Sequence, residues 1–266
     1  MYRKLIQKSM VLILCLIILT GTAVGARVEI NGTELSGAEG WIKDGVSYVT
    51  LRAVEREGGY SVSWDGQRAG LSGKGAELTA KPGAAYIEVN GRALYIPGGV
   101  QVISGRTVLP VRVLGNALGA EVSWNDKTAT ASLSTRSAKA PSANYNAEDL
   151  YWLSRVISAE SRGETLWGQM AVGNVVLNRV KSQQFPNTVK GVVFDRKHGV
   201  QFEPVENGTI YEQPTATSIL AAKLALEGTK PVGNCLYFYA PALSKGTWIV
   251  NNRTYYTTIG CHKFYL

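Results

Sequence analysis

The spacing of hydrophobic residues changes near residue 147 of the chain. Residues 27–133 read as short strands with frequent glycine. Beyond them, the segments "AEDLYWLSRVISAES", "LWGQMAVGNVVLNRVKS" and "PTATSILAAKLALEG" carry apolar residues at helical spacing, which predicts three helices. The tail segments "CLYFYAP", "TWIV" and "RTYYTTIG" are rich in β-branched and aromatic residues, which predicts short strands or extended loops. The pattern indicates an α+β fold in which a strand-rich part precedes a mainly helical part.

The strand-rich part contains an internal duplication. The stretch "VSYVTLRAVEREGGYSVSWD" at 46–65 recurs as "RTVLPVRVLGNALGAEVSWN" at 106–125, an offset of 60 residues. Upstream of each copy, "VEINGTEL" at 28–35 resembles "IEVNGRAL" at 87–94. Each unit predicts a strand, an Asn-Gly turn, a second strand, a short helix ended by glycine, and a further strand. Two such units predict one pseudo-symmetric α+β domain.

The duplicated pattern, with its "LPVR…LGAEVSW" signature, resembles the small domain called the copper amine oxidase N-terminal-like domain. The resemblance covers about residues 28–133 and implies a domain that is common in exported proteins. This region contains no histidine and no cysteine, so the sequence offers no evident copper ligands. Two roles stay open for the domain, namely binding or spacing at the cell wall, and a structural stalk without a ligand.

Residues 134–147, "STRSAKAPSANYNA", have the composition of a linker, because serine, alanine and asparagine dominate them. A second domain is expected over 148–266. Asn146 is a candidate N-cap of its first helix, and Glu148 and Asp149 fall in the first turn of that helix, where acidic side chains are favourable.

Residues 1–26 have the pattern of a signal peptide. Arg3, Lys4 and Lys8 precede the apolar run "VLILCLIILT", and small residues follow it at "GTAVGA". The run is short for a bilayer span, although an uncleaved N-terminal anchor is the alternative. Cleavage removes three basic and no acidic residues, which lowers the formal net charge from +8 to +5. A basic exported protein is drawn to anionic wall polymers, and export argues against nucleic acid as a partner. We expect a secreted monomer.

The cysteine and histidine content limits the chemistry that the exported chain offers. Cys235 and Cys261 remain after cleavage, and an even pair in an oxidising compartment predicts a disulfide, with two buried free thiols as the alternative. The imidazole side chains are those of His198 and His262 alone, so we expect no metal site and no cofactor.

Glu160 stands out because it lies on the apolar stripe of the first helix of the second domain. Leu153, Val156 and Ile157 precede it at i−7, i−4 and i−3, so its carboxyl group lies along the face expected to meet the core. Burial raises the pKa of a carboxyl group, and a glutamate protonated near neutral pH is the acid that glycosidic bond cleavage requires. The alternative is a solvated helix-end residue, or one that pairs with Arg155 or Arg162.

An ordered set of motifs runs through residues 150–266: "ISAESRGE", "GQMAVGNVVLNRV", "FPNTVKGVVF", "ALEG", "LYFYAP" and "IGCHKFY". This pattern resembles the cell wall hydrolase family of the spore cortex-lytic enzymes. The resemblance implies a lysozyme-like, mainly helical fold with a substrate cleft, and an enzyme that cuts peptidoglycan glycan strands. Family members of known mechanism are lytic transglycosylases. Their catalytic glutamate is the first of the "AE…GE" motif, which falls on Glu160.

The same resemblance assigns weaker roles to other positions. Arg179 is one of several polar residues inside an apolar helix, where it could bond across the core or toward the cleft. Glu203 stands where the pattern implies Ser or Thr, so the cleft there departs from the family. The candidates for substrate binding or for support of the catalytic residue are Glu164, Gln169, Asn178, Gln201, Tyr237, Tyr239 and His262.

These observations favour an exported lytic transglycosylase that acts on peptidoglycan glycan strands of the cell wall or spore cortex. Two alternatives stay open. The first is a peptidoglycan-binding protein without activity, and the second is a stem-peptide amidase. A zinc amidase would need more histidines than the exported chain has, and a Cys–His protease would need a reduced cysteine in an oxidising compartment.

Overall fold

The computed structural model describes residues 25–197 and 199–266 of the chain. The signal peptide expected over 1–26 falls almost wholly outside these residues and stays a prediction. Within the described ranges, no helix has both the length and the apolar character that crossing a bilayer requires.

Residues 27–134, called the N-terminal region below, form three β-sheets and two short helices. The helices are α1 (Leu51–Gly58) and α2 (Val111–Leu118). The strands are β1 (Arg27–Ile30), β2 (Thr33–Glu34), β3 (Gly40–Lys43), β4 (Val46–Thr50), β5 (Ser61–Trp64), β6 (Ala69–Gly73), β7 (Ala76–Ala80), β8 (Tyr86–Val89), β9 (Arg92–Tyr95), β10 (Gln101–Ile103), β11 (Arg106–Pro110), β12 (Glu121–Asn125) and β13 (Thr130–Ser134).

The sheet pairing places the two sequence repeats against each other. The strand orders are β12-β13-β1-β2, β10-β11-β4-β3 and β5-β6-β7-β8-β9. Strands β4 and β11 are equivalent in the two repeats and pair antiparallel, with Val49 opposite Leu109. These two residues are themselves related by the repeat offset, so a pseudo-twofold relation passes through this pair. The α+β fold expected for this part is confirmed.

The turns that the sequence predicted form as expected. Asn31 and Asn90 have φ angles of 53° and 49°, and the glycines that follow them have 86° and 79°. Positive φ at both central residues gives the hairpin turn whose twist matches the flanking strands. Helices α1 and α2 end at Gly59 and Gly119, whose left-handed φ angles of 74° and 61° a side chain would oppose.

Residues 147–266, called the C-terminal region below, are mainly helical. The helices are α3 (Ala147–Ser161), α4 (Leu166–Lys181), α5 (Val189–Val193), α6 (Pro204–Asn207), a 3₁₀ helix (Thr209–Tyr211), α7 (Ala216–Leu226) and α8 (Thr247–Asn252). The strands are β14 (Tyr237–Tyr239), β15 (Tyr255–Ile259) and β16 (His262–Tyr265), in the sheet order β14-β16-β15. The mainly helical fold with short C-terminal strands is confirmed.

One segment of the tail differs from its prediction. "TWIV" begins helix α8, although its β-branched and aromatic residues predicted a strand or an extended loop. None of the residues of α8 is buried, and Val250 donates its backbone N–H to the carbonyl of Gly246. With no strand paired to it, the segment satisfies its backbone groups internally, which only a helix allows.

Helices α3, α4 and α7 pack around the main core of the C-terminal region. Leu153, Val156 and Ile157 are fully buried there, as their spacing predicted. At the contact between α3 and α4, a Cβ added to Gly173 would lie 2.8 Å from Cδ1 of Ile157, so the glycine permits close approach of the two helices. The three-stranded sheet covers α4 from another side through the buried ring of Phe264.

The two regions meet through strand β9 and helix α7. Ala93 is buried in the core of the C-terminal region, and Arg92 forms two hydrogen bonds with the carboxylate of Glu227, at 2.9 and 2.6 Å. The backbone N–H groups of Ala140 and Ala143 bond to the N-terminal region, so the segment between Ser134 and Ala147 lies along it without a helix or strand. The domain boundaries expected around this segment stay a prediction.

Candidate active site

Helix α3 carries Glu160 to the edge of the core. The side chain of Asn146 accepts hydrogen bonds from the backbone N–H groups of Glu148 and Asp149, at 2.9 and 3.1 Å, which fixes the start of the helix as predicted. The helix ends at Ser161, so Glu160 occupies its last turn. It continues the buried stripe, but its side chain reaches the surface of the core and is partly exposed.

The carboxyl group of Glu160 has an unusual electrostatic environment. Burial raises its pKa to about 7, the negative charge of Glu203 adds to that rise, and the positive charge of Arg179 opposes it. The arginines on its own helix and loop are engaged elsewhere. Arg155 donates to the carbonyl of Tyr151 at 3.5 Å and lies over that ring, and the guanidinium of Arg162 pairs with the exposed Glu212 at 2.7 Å. The ion-paired helix-end alternative therefore does not describe Glu160.

The positive charge of Arg179 acts on this carboxyl group from α4. Its Nε donates to the carbonyl of Leu236 at 2.7 Å, and its guanidinium lies 4.9 Å from the ring centroid of Phe185, 5.3 Å from that of Phe202 and 5.8 Å from that of Tyr237. Burial lowers the pKa of Arg179 to about 10, which leaves it charged at neutral pH. A buried cation therefore acts on the acid at the edge of the core.

Glu164 lies on the loop between α3 and α4 and holds the turn between β15 and β16. Its Oε1 accepts a hydrogen bond from the backbone N–H of Cys261 at 2.9 Å and lies 3.4 Å from Nδ1 of His262. Burial lowers the pKa of His262, and the charge of Glu164 opposes that shift. A Cβ added to Gly260 would fall 1.7 Å from Oε2 of Glu164, so a glycine is required beside the carboxylate.

Two of the polar candidates on α4 bond within the fold. Gln169 donates to the carbonyl of Glu164 at 3.0 Å and accepts from the hydroxyl of Ser218 at 2.8 Å. Asn178 donates to the carbonyls of Gly233 and Cys235, both at 2.9 Å, and so fixes the segment that leads to β14. These contacts use the side chains to join elements, which is the cross-core role that the sequence left open.

The aromatic candidates fall into different surroundings. Tyr237 lies near the buried Arg179 and also contacts Trp248 and Arg253. Its ring centroid is 5.8 Å from the guanidinium of Arg179, 5.9 Å from the ring centroid of Trp248 and 4.5 Å from the guanidinium of Arg253. Tyr239 packs against Tyr265 of the neighbouring strand β16, with ring centroids 5.9 Å apart. Tyr237 is thus the aromatic candidate that the fold brings to Arg179.

The structure separates the remaining candidates. Gln201 bonds to the carbonyl of Gly199 at 3.1 Å in the loop before α6, two residues from Glu203. Sequence reasoning missed that Glu203 and Arg179 act on the same carboxyl group with opposite sign. The sequence marks Arg179 as a polar residue in an apolar helix and Glu203 as a departure from the family pattern. Sequence spacing does not predict contacts between residues on different elements, so it could not relate the two to Glu160.

The disulfide expected between Cys235 and Cys261 is not formed. Both are free thiols, and Cys235 is buried whereas Cys261 is exposed. The fold places them in different settings: Cys235 lies in the small core with Phe264, and Cys261 lies on the turn that Glu164 holds. The prediction was wrong because an even count of cysteines gives no information on their distance. Burial raises the pKa of Cys235 to about 11.

Within the described part of the chain, no three His, Cys, Asp or Glu side chains are grouped so that they could hold a metal ion. In the N-terminal region, Trp64 and Trp124 are exposed at repeat-related positions on the edge strands β5 and β12. Two surface depressions, of about 150 and 330 Å³, lie along β1 and β13. These surfaces belong to the sheets and lie apart from the residues around Glu160.

Comparisons with known proteins agree with both resemblances seen in the sequence. Residues 163–265 match the cell wall hydrolase family, and residues 29–133 match the copper amine oxidase N-terminal domain. The spore cortex-lytic enzyme of Bacillus cereus is 40% identical over 120 residues, which cover 45% of this chain and 45% of that enzyme. The cell wall hydrolase CwlJ of Oceanobacillus iheyensis is 30% identical over 103 residues, which cover 36% of this chain and 72% of that protein.

A solved structure is also similar to the C-terminal region. The catalytic domain of the germination-specific lytic transglycosylase SleB from Bacillus anthracis is 39% identical, and the match covers 46% of this chain and 98% of that chain with a TM-score of 0.43. The chain spans about 45% of the length of the Bacillus cereus spore cortex-lytic enzyme that it matches. The family match begins at residue 163, just after Glu160.

Proposed function

The chain belongs to the cell wall hydrolase family, and we propose that it is an exported peptidoglycan-cleaving enzyme, a lytic transglycosylase that acts on the cell wall or spore cortex. The observation that carries this proposal is Glu160, whose buried carboxyl group has a pKa raised to about 7. Such a group is protonated in a large fraction of molecules near neutral pH and can therefore serve as a general acid. The relatives named as spore cortex-lytic enzymes support the choice of substrate.

The reaction needs one carboxyl group in two roles. Glu160 gives its proton to the oxygen that joins N-acetylmuramic acid to N-acetylglucosamine, and the bond from that oxygen to the muramyl C1 breaks. The carboxylate of Glu160 then takes the proton of the muramyl C6 hydroxyl, whose oxygen bonds to C1 and closes a 1,6-anhydro ring. The cycle consumes no water, returns Glu160 to its protonated form, and requires no second carboxylate as nucleophile.

The other parts of the chain have supporting roles in this proposal. Glu164 and His262 hold the turn beside the site, and Tyr237 offers an aromatic face to a sugar ring. We also propose the division into a wall-binding or spacer domain over 27–133, a linker over 134–147 and a catalytic domain over 148–266. Two hydrophobic cores support this division, one built from residues of the N-terminal region and its flanking segment, and one built from residues of the C-terminal region together with Ala93 of strand β9. We also propose that the protein acts on glycan strands, is attracted to anionic wall polymers and is a monomer.

Mass spectrometry of digested peptidoglycan tests the reaction. Purified wall treated with the protein should release muropeptides that end in 1,6-anhydro-muramic acid, and treatment with Glu160→Gln should not. Reducing ends would mean that water attacks C1 and that the enzyme is a hydrolase. Free stem peptides would mean that the enzyme is an amidase. The absence of any soluble product would mean that the protein binds peptidoglycan without cleaving it. Any of these three outcomes would overturn the transglycosylase assignment.

A further inference from the structure

Arg179 is one of the most buried charged residues of the described chain, with 5% of its surface exposed. Its Nε bonds to the carbonyl of Leu236, but its Nη1 is shielded from solvent and has no hydrogen-bond partner among the described residues. A buried N–H group of a cation without a partner costs free energy, so such groups are rare. The unpartnered Nη1 of Arg179 therefore suggests a hydrogen-bond acceptor that is absent from the resting fold.

The surroundings of Arg179 hold the guanidinium in place without neutralising it. The rings of Phe185, Phe202 and Tyr237 lie within 6 Å of it, and cation–π contacts of this kind are attractive in a desolvated site. No carboxylate of the described residues lies within 4.0 Å of Arg179, the distance of an ion pair. The charge is thus fixed in position and left free to act on a group that becomes negative.

Three ionisable groups besides Arg179 and Glu160 act in the space that these two residues share. Glu160 faces Arg179 from α3, Asp195 from the loop after α5, and Tyr237 from β14, while Glu203 acts on Glu160 from the loop before α6. Glu160 is the buried acid among them, and its side chain accepts no hydrogen bond from the described residues. A cation with an unused donor therefore interacts, through its charge, with an acid that has no donor.

We propose that Arg179 is a positioning residue for Glu160, whose unpartnered Nη1 N–H and fixed charge stabilise the carboxylate that Glu160 becomes after it protonates the glycosidic oxygen. This inference rests on the proposed function of Glu160. The protonated acid needs no such partner, which explains why the donor is unpaired in the resting fold. The carboxylate gains a charge-assisted hydrogen bond, the stronger kind. Glu203 opposes this effect, so the carboxylate remains basic enough to take up the C6 hydroxyl proton.

Carbon NMR of labelled glutamate measures the effect at Glu160 itself. The full chain is labelled at the glutamate side-chain carboxyl carbon, and the signal that disappears in Glu160→Gln is assigned to Glu160. In Arg179→Met the pKa of Glu160 should rise by about one unit, because an opposite charge nearby lowers a carboxyl pKa by 1–3 units. Arg179→Lys should restore most of the shift. An unchanged Glu160 titration in Arg179→Met would overturn the proposal.

Arg155→Met is the matched control. Arg155 is also a buried arginine over an aromatic ring with an unpartnered Nε, but it lies on α3 and does not act on the Glu160 carboxyl. Its removal should cost stability to a similar extent and leave the Glu160 titration where it is. Equal shifts in both arginine variants would reveal a general structural effect and would overturn the specific role of Arg179.

A measurement on the unmodified arginine covers the case in which Arg179→Met does not fold. The side-chain nitrogen signals of Arg179 should move with a midpoint near that of Glu160, about 7, and should lose this transition in Glu160→Gln. Arg179 signals that do not change as Glu160 titrates would contradict the proposal. Both NMR readouts report on the charge pair whether or not peptidoglycan is cleaved, so a failure of the proposed function would appear separately, in the products.

Discussion

Two arginines of this chain are almost equally buried but differ in their hydrogen bonds and ion pairs. Arg92, at the contact between the two regions, bonds twice to Glu227 and donates to the carbonyl and side chain of Asn116, at 3.2 and 3.0 Å. Tyr145 adds a hydrogen bond to the same Glu227 carboxylate at 3.0 Å. Arg179, beside Glu160, has one hydrogen bond, no ion pair and an unused donor among the described residues.

Under the proposed function, the difference separates groups that hold the fold from groups that take part in the reaction. Where charge serves to join two elements, the desolvation cost is offset by an opposite charge and further hydrogen bonds, as at Arg92, where all three guanidinium nitrogens donate. Where charge serves a reaction, the partner must appear during the cycle, so the resting fold leaves it unpaired at a cost in stability. Changes at the first site should lower stability, and changes at the second should lower activity.

The largest expected effect is the loss of activity in Glu160→Gln. The amide keeps the shape of the side chain but cannot give up and take back a proton, and general acid–base catalysis contributes about 100- to 10,000-fold in rate. Release of soluble fragments from purified peptidoglycan measures it, with Glu148→Gln at the exposed start of the same helix as the control. Retention of more than about a tenth of the activity, outside that range, would move the assignment to Glu164.

The same variant should be more stable than the parent at neutral pH. The pKa of Glu160 is raised from 4.5 to about 7 in the folded chain. Between these values the folded state keeps a proton that the unfolded state releases, so the parent loses stability as pH rises through this window. Glu160→Gln has no such loss, and its advantage should grow to neutral pH and then level off. Urea denaturation at several pH values measures the difference, and a constant difference would contradict the shift.

Breaking the contact between the two regions should lower the free energy of unfolding and leave the catalytic reaction unchanged. Arg92→Met leaves the carboxylate of Glu227 buried with its charge partner removed, and loss of one member of a buried pair costs about 3 kcal/mol. Urea denaturation measures it, with Arg52→Met, which removes an exposed ion pair, as the control. The pH dependence of peptidoglycan cleavage by the folded fraction should not move. A shift in that profile would mean that the contact tunes the site.

Glu164→Gln should have an intermediate effect on stability and a smaller effect on activity than Glu160→Gln. The variant weakens the bond to the backbone of Cys261, and hydrogen bonds to charged groups contribute about 1.5–3 kcal/mol. Thermal unfolding measures the loss, with Glu212→Gln in the exposed pair with Arg162 as the control. A loss of activity as large as that of Glu160→Gln in a stably folded protein would make Glu164 a participant in the reaction.

The smallest expected effect concerns the two cysteines. Thiol labelling tests whether Cys235 and Cys261 are free thiols, as the structure has them. The native protein should react at Cys261, which is exposed, and Cys235 should react only after unfolding because it is buried and has a raised pKa. Mass spectrometry after labelling under native and denaturing conditions distinguishes the two. If neither cysteine labels in the unreduced, unfolded protein, a disulfide joins them and the assignment of free thiols fails.

Local features of the fold followed from the sequence with few errors. Asn146 caps α3, the Asn-Gly turns take positive φ angles, and Leu153, Val156 and Ile157 are buried. The exception is "TWIV" in α8, where a propensity for strand had no neighbouring strand to pair with. Propensity alone is a weak guide in such a segment, because strand preference depends on packing partners.

The sequence by itself determined the order of the elements, the duplication, and the stripe that carries Glu160 to the edge of the core. These depend on residues within one or two turns of each other, where backbone geometry fixes which side chains share a face. Only the tertiary structure decided that Arg179 and Glu203 act on Glu160, that Arg92 meets Glu227 across 135 positions, and that the two cysteines stay apart. The physical reason is that burial and charge interactions depend on distance in space, which packing of whole elements sets and no local spacing encodes.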